Sequence, residues 1–308
     1  MRELLTIPFG WVLSFLYNLT DSYLLAIVLL TLVVRLLLVP SSIKQQKNSA
    51  KQVRLNAKVN KIKQKYAGNQ QKIQEETQAL YQREGFGAAN MGCSNLVITL
   101  LVMTGLYGVI YTPISSVLRF PKDVVAGLKE ALVVAGKNTT GKEELIILNV
   151  FEKNADKVSS LLNTERLEQL KALKEDFNIF GIDLTQTPNA KEANILWLIP
   201  ILACLTALAS SLFMFFRQKK QNPEMAKNPT MGCMTFMSPV MSLMFTFMFP
   251  AGVGVYWIIS NIFSFIQQVI LTSLYSPKKV IAEQMVDETV VRRSKENMTK
   301  RRVELEKK

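Results

Sequence analysis

Arg35 is the one charge in an otherwise apolar run, Tyr23 to Pro40. A central arginine in a bilayer costs about 2.5 to 3.5 kcal/mol on insertion scales, so such residues usually face a bundle interior or a wet cavity. Thr31 lies one turn earlier on the same helical face. Other apolar runs contribute Thr99 and Thr104, then Ser260, Asn261, Gln267 and Gln268. Gathered on one inner side, these groups would line a hydrophilic cavity open to the cytosol. A lone cation among hydroxyls and amides would attract acidic or polar peptide there without making or breaking bonds. The same residues admit blander readings. Arg35 stands five residues before Pro40, about 7.5 Å of helix rise, near enough for its stem to snorkel. Each hydroxyl or amide taken singly serves as a helix-to-helix hydrogen bond, Asn261 above all.

Other chemistries lack their residues. The chain has no histidine, which excludes imidazole relays, Ser-His-Asp and Cys-His nucleophiles and histidine metal sites. The cysteines at 93, 204 and 233 are too few and too dispersed for a disulfide framework or a four-thiolate zinc site. No catalytic residue, cofactor or metal is expected. No carboxylate falls inside an apolar run, which weighs against an ion-coupled pump.

The elements that must position Arg35 are membrane helices. A hydrocarbon core about 30 Å thick needs roughly 20 apolar helical residues. Five spans are expected, at 23–40, 96–118, 195–216, 232–249 and 250–275, with the chain reversing at Phe249-Pro250-Ala251-Gly252. Residues 41–95, 217–231 and 276–308 sum to +14, whereas 1–22 and 120–194 sum to −3. Because Lys/Arg excess marks the cytoplasmic side, the N-terminus is expected outside and the C-terminus in the cytosol. The net charge of +13 is then mostly a topology signal, and DNA is not an expected partner.

Residues 1–22 carry Leu4, Leu5, Ile7, Phe9, Trp11, Val12, Phe15 and Leu16 with no cleavage site of a signal peptide. They read as an amphipathic helix on the outer surface, or as a frayed terminus. Residues 41–95 read as a cytoplasmic helical hairpin: one helix over 41–66 with a thin stripe of Val53, Leu55, Val59 and Ile62, and a second over 70–83. So little core predicts a mobile pair, either a spacer or a contact arm. Residues 119–194 read as a small helical insert outside the membrane, residues 217–231 as a cytoplasmic loop, and 276–308 as a basic cytoplasmic tail.

At the level of motifs the chain resembles the YidC/Oxa/Alb membrane protein insertases, in their five-span Gram-positive-type form. The run Leu25 to Pro40 with Arg35 is similar to the family's first core span. Lys65-Tyr66 and Leu80-Tyr81 are similar to its cytoplasmic hairpin, and Gly92-Cys93, Leu106-Tyr107 and Asp183-Leu184 match around later spans. The most specific stretch runs from Phe249 through Tyr256-Trp257 and Ser260-Asn261 to Gln267-Gln268. Gly87-Ala88 and Ser94-Asn95 stand where the family usually has Asn-Pro and Leu-Pro, and Thr99 and Leu101 where it often has Gln and Pro.

The resemblance implies an all-α polytopic protein of the bacterial plasma membrane, five helices around a hydrophilic groove. It implies insertion and folding of nascent membrane proteins, alone or beside the Sec translocon, with lateral release into the bilayer. It places Arg35, Thr31, Thr99, Trp257, Tyr256 and Gln267 along the substrate path, and gives Lys65, Tyr66 and Tyr81 of the hairpin a receiving role. Lys278, Lys279, Arg292, Arg293, Lys300, Arg301 and Arg302 of the tail would touch ribosomal RNA or anionic lipid headgroups. Two rival classes lack their features: a solute transporter would show repeat symmetry or paired broken spans, and an intramembrane hydrolase would need a base for Ser260.

Overall fold

The computed structural model describes residues 2–85, 93–133, 141–221 and 229–306, with side chains over 6–85, 101–133, 141–220, 235–303 and 305. The described chain is almost wholly helical: α1 Arg2–Thr20, α2 Tyr23–Leu37, α3 Val39–Lys65, α4 Gln70–Arg83, α5 Cys93–Tyr111, α6 Pro113–Ser116, α7 Lys122–Leu132, α8 Glu143–Val150, α9 Ala155–Ser159, α10 Thr164–Asp176, α11 Leu198–Gln221, α12 Pro229–Met248, α13 Ala251–Leu274 and α14 Pro277–Glu306. By length and composition, Ile195–Lys220 and Ala251–Leu274 suffice to cross a membrane, and Tyr23–Leu37 with Val39–Lys65 makes a third if taken as one broken span. Leu101–Tyr111 and Thr235–Met248 are shorter apolar helices.

Several ends follow from local chemistry. α5 stops at Tyr111 because Pro113 cannot continue the ladder, and Thr112 returns its hydroxyl to Gly108 O at 2.8 Å. Within the expected second span, 96–118, α5 therefore ends about two turns before the expected end, and α6 follows as a separate helix. α4 begins where Asn69 accepts the backbone N–H of Lys72 at 3.0 Å, an N-cap after Gly68 at φ +91°.

The chain divides into two compact units. The first comprises residues 1–37 and 97–266. In it α1 packs on α2, burying Leu13 and Leu16, while Ile7, Trp11, Phe15 and Leu19 stay exposed at four-residue spacing along one face. Gly10 allows the close approach of Ser116, and the Arg119 guanidinium lies 3.8 Å from the Trp11 ring centre. α11 and α12 pack along each other, and the Ala203 carbonyl between them accepts Ser242 Oγ at 3.2 Å and Asn261 Nδ2 of α13 at 3.3 Å.

The insert of the first unit is not purely helical. Asn178–Ile179 and Ile182–Asp183 pair antiparallel around Phe180 and Gly181, both at positive φ, which is the backbone of a type I′ hairpin turn. This ladder of two residue pairs interrupts an otherwise helical chain without changing its class; no period-two pattern could show in two-residue strands. The insert is tied to helix ends on three sides. Phe177 stacks on Tyr23 at 4.1 Å. Glu144 takes the N–H and hydroxyl of Ser115. Leu184 O and Gln186 O accept the first N–H groups of α13, from Gly252 and Ala251, at 2.9 and 2.8 Å.

The second unit comprises residues 38–96 and 267–308. α4 buries no residue, as its thin apolar pattern implies, and α3 buries Ala50, Leu55 and Val59. The expected stripe holds only in part, since Val53 and Ile62 are half-exposed. α14 packs along α3, a partner for the hairpin that its composition did not announce.

Candidate functional site

Arg35 sits in the last turn of α2, half-buried. Its Nη2 donates to Ser260 Oγ at 2.6 Å and to Ser260 O at 3.2 Å. Ser260 is buried in α13, and its carbonyl also accepts Ser264 Oγ at 2.7 Å. One turn earlier, the buried Tyr256 donates its hydroxyl to Met103 Sδ of α5 at 3.5 Å. The i,i+4 spacing of Tyr256 and Ser260 puts both on one face of α13. No carboxylate pairs with Arg35 among the described residues, and its other nitrogens, Nε and Nη1, have no hydrogen-bond partner among them.

The other expected path residues are placed differently. Thr31 is buried and returns its hydroxyl to Ile27 O at 2.7 Å, so that hydroxyl serves its own helix. Trp257 is half-buried against Phe245, ring centres 5.7 Å apart. Thr99 lies in α5, and its side chain is outside the described residues. Asn261 is a helix cross-link, bonded to Ala203 O and Thr206 Oγ1 of α11, the structural role its type suggested.

In the second unit Gln267 donates to Ser42 Oγ at 3.0 Å, and Gln268 to Thr272 Oγ1 at 3.3 Å. Lys65 is exposed with its ammonium 5.2 Å from the Tyr66 ring centre, and Tyr81 is half-buried in α4. The tail cations Lys278, Lys279, Arg292, Arg293, Lys300, Arg301 and Arg302 are all exposed on α14. Arg54 grips Glu288 with both terminal nitrogens, at 2.8 and 3.0 Å, pinning α14 to α3.

Sequence reading missed the Arg35–Ser260 pairing, although Ser260 stood among the polar span residues. It also missed the insert's polar knot. There Asp183 accepts Thr185 N and Oγ1 and Lys174 Nζ, while Asn149 accepts Lys174 and Thr185. The Asp183-x-Thr185 spacing of an Asx turn was the one available signal.

Residues 15–279 match the family described as 60Kd inner membrane protein. The chain is 23% identical over 265 residues to the membrane protein insertase MisCA of Bacillus subtilis, covering 84% of this chain and 74% of that protein. It is 23% identical over 299 residues to the membrane protein insertase YidC 2 of Listeria innocua, covering 94% and 79%. With the membrane protein insertase YidC of Oceanobacillus iheyensis it shares 24% over 284 residues, covering 88% and 83%.

Proposed function

The chain belongs to the 60Kd inner membrane protein family, the YidC/Oxa/Alb proteins, and on that premise we propose that it is a membrane protein insertase and chaperone. It accepts nascent membrane proteins from the cytosol, alone or beside the Sec translocon, and releases them sideways into the bacterial plasma membrane. In this reading five helices cross the bilayer, α2, α5, α11, α12 and α13, with α1 and the insert outside and the hairpin and tail in the cytosol.

The observation that carries the reading is Arg35, a cation in an apolar helix whose described partners are a neutral hydroxyl and a carbonyl. An uncompensated charge in a low-dielectric setting attracts an acidic group far more strongly than it would in water. Arg35 therefore draws the acidic outer segment of a substrate into a groove that shortens the hydrophobic barrier. The substrate's apolar span meanwhile slides along lipid-facing surfaces of α11 and α13. Burial of that span, at about 0.8 kcal/mol per CH₂, drives release without a nucleotide. Lys65, Tyr66 and Tyr81 meet the substrate first, and the basic α14 faces ribosomal RNA or anionic lipid. Photocrosslinkers at Thr99 and Trp257 test this path: they capture a ribosome-held nascent membrane protein, and consistent failure at both positions would contradict it.

A further inference from the structure

Among the described residues, Arg35 is held by a single nitrogen. Nη2 makes both of its hydrogen bonds, to the hydroxyl at 2.6 Å and the carbonyl at 3.2 Å of one residue, Ser260. That leaves Nε and Nη1 for an incoming acceptor. A guanidinium on three rotatable methylenes would otherwise sample many orientations, and a two-point grip by one neutral residue removes most of that freedom without cancelling the charge. Ser260 is suited to this by its own bonds. Its hydroxyl accepts from Arg35, and its carbonyl accepts from both Arg35 and Ser264 Oγ. A carboxylate here would neutralise the cation, and an alanine would leave only the weaker carbonyl contact.

We propose that Ser260 is the positioning residue of Arg35, orienting the guanidinium so that its free edge receives substrate carboxylates. The proposal rests on the reading of Arg35 as the residue that meets acidic segments. It assigns Ser260 selectivity for acidic over neutral segments rather than a general part in insertion.

The experiment uses the full-length protein in cells depleted of their own insertase. Two substrates are compared that differ only in Asp/Glu against Asn/Gln in the translocated segment. Ser260→Ala lowers insertion of the acidic substrate about tenfold, the scale of one lost hydrogen bond to a charged group, and leaves the neutral one unchanged. Ser260→Cys, which keeps the volume but not the strong acceptor, behaves like Ser260→Ala, whereas Ser260→Thr behaves like the parent. A packing role predicts the reverse, with Cys tolerated and Thr not, and that result overturns the proposal even if Ser260→Ala accumulates poorly. The Arg35→Ala/Ser260→Ala pair discriminates no worse than Arg35→Ala alone; additive losses would show that Ser260 acts independently and also overturn it. If Arg35→Ala itself handles both substrates equally to the parent, the underlying reading of Arg35 fails, which this set distinguishes from a failure at Ser260 alone.

Discussion

The carboxylate of Glu144 reaches 29 residues back along the chain to Ser115, taking its backbone N–H at 2.9 Å and its hydroxyl at 2.6 Å. Glu144 is 2% exposed. The pair fastens the insert to the short helix that follows α5, so the end of one apolar helix and the insert are fixed by the same carboxyl group. Glu144→Ala leaves both Ser115 donors without their acceptor and costs about 1 to 3 kcal/mol. Unfolding of the insert in the purified protein, followed by protease access to it, checks this.

Glu144 also gives the insert a pH dependence with a definite sign. Burial holds its carboxyl above the ordinary value of 4.5 despite the two bonds from Ser115. The folded state therefore binds more protons than the unfolded chain between 4.5 and the folded value, and stability falls as pH rises through that window. Asp183 acts oppositely. Burial pushes its carboxyl up, but the bonds from Lys174 and Thr185 outweigh that and hold it below 3.8. Its contribution is complete above 3.8 and lost as pH falls through the folded value. Melting temperature against pH for Glu144→Gln and Asp183→Asn checks the two signs: the first flattens the slope above 4.5, the second the slope below 3.8.

Phe180 stands at φ +52° at the tip of the insert's hairpin, 91% exposed. A bulky side chain gains no packing there and carries the cost of left-handed backbone, of order 1 kcal/mol. Phe180→Asn accordingly stabilises the insert by about that amount, read from the same melting experiment.

A Cβ on Gly254 would sit 2.3 Å from Ile199 Cγ2, so α13 and α11 approach at a point where only glycine fits the present rotamer. Gly254→Ala destabilises the protein by about 1 to 3 kcal/mol through overpacking, and Ile199→Ala introduced with it restores part of the loss. Thermal unfolding in detergent of the two single variants and the pair checks the coupling.

The hairpin's second helix, Gln70–Arg83, was legible to the residue because Gly68-Asn69 supplies both a stop and a cap. The apolar helices were legible from composition, their ends less so: α2 breaks at Leu38, two residues before the proline that the sequence makes conspicuous. What could not be read is what depends on contacts distant in sequence. Tyr23 and Phe177, Ser115 and Glu144, and Arg35 and Ser260 carry no local signal of their pairing. Arg35 was visible as costly, but Ser260 looked like any hydroxyl in a membrane helix. Phe180 broke the turn rules outright, since Asn or Gly is the residue that such a backbone favours.

On the proposed function, insertion of membrane proteins by this chain depends on the charge of Arg35. The direct measurement is insertion of a short two-span substrate with acidic outer segments, in cells where this chain is the only insertase, comparing the parent with Arg35→Ala and Arg35→Glu. The parent is expected to support insertion, Arg35→Ala to be impaired and Arg35→Glu to be worse, because glutamate repels what the arginine attracts. Full insertion by both variants would contradict that dependence.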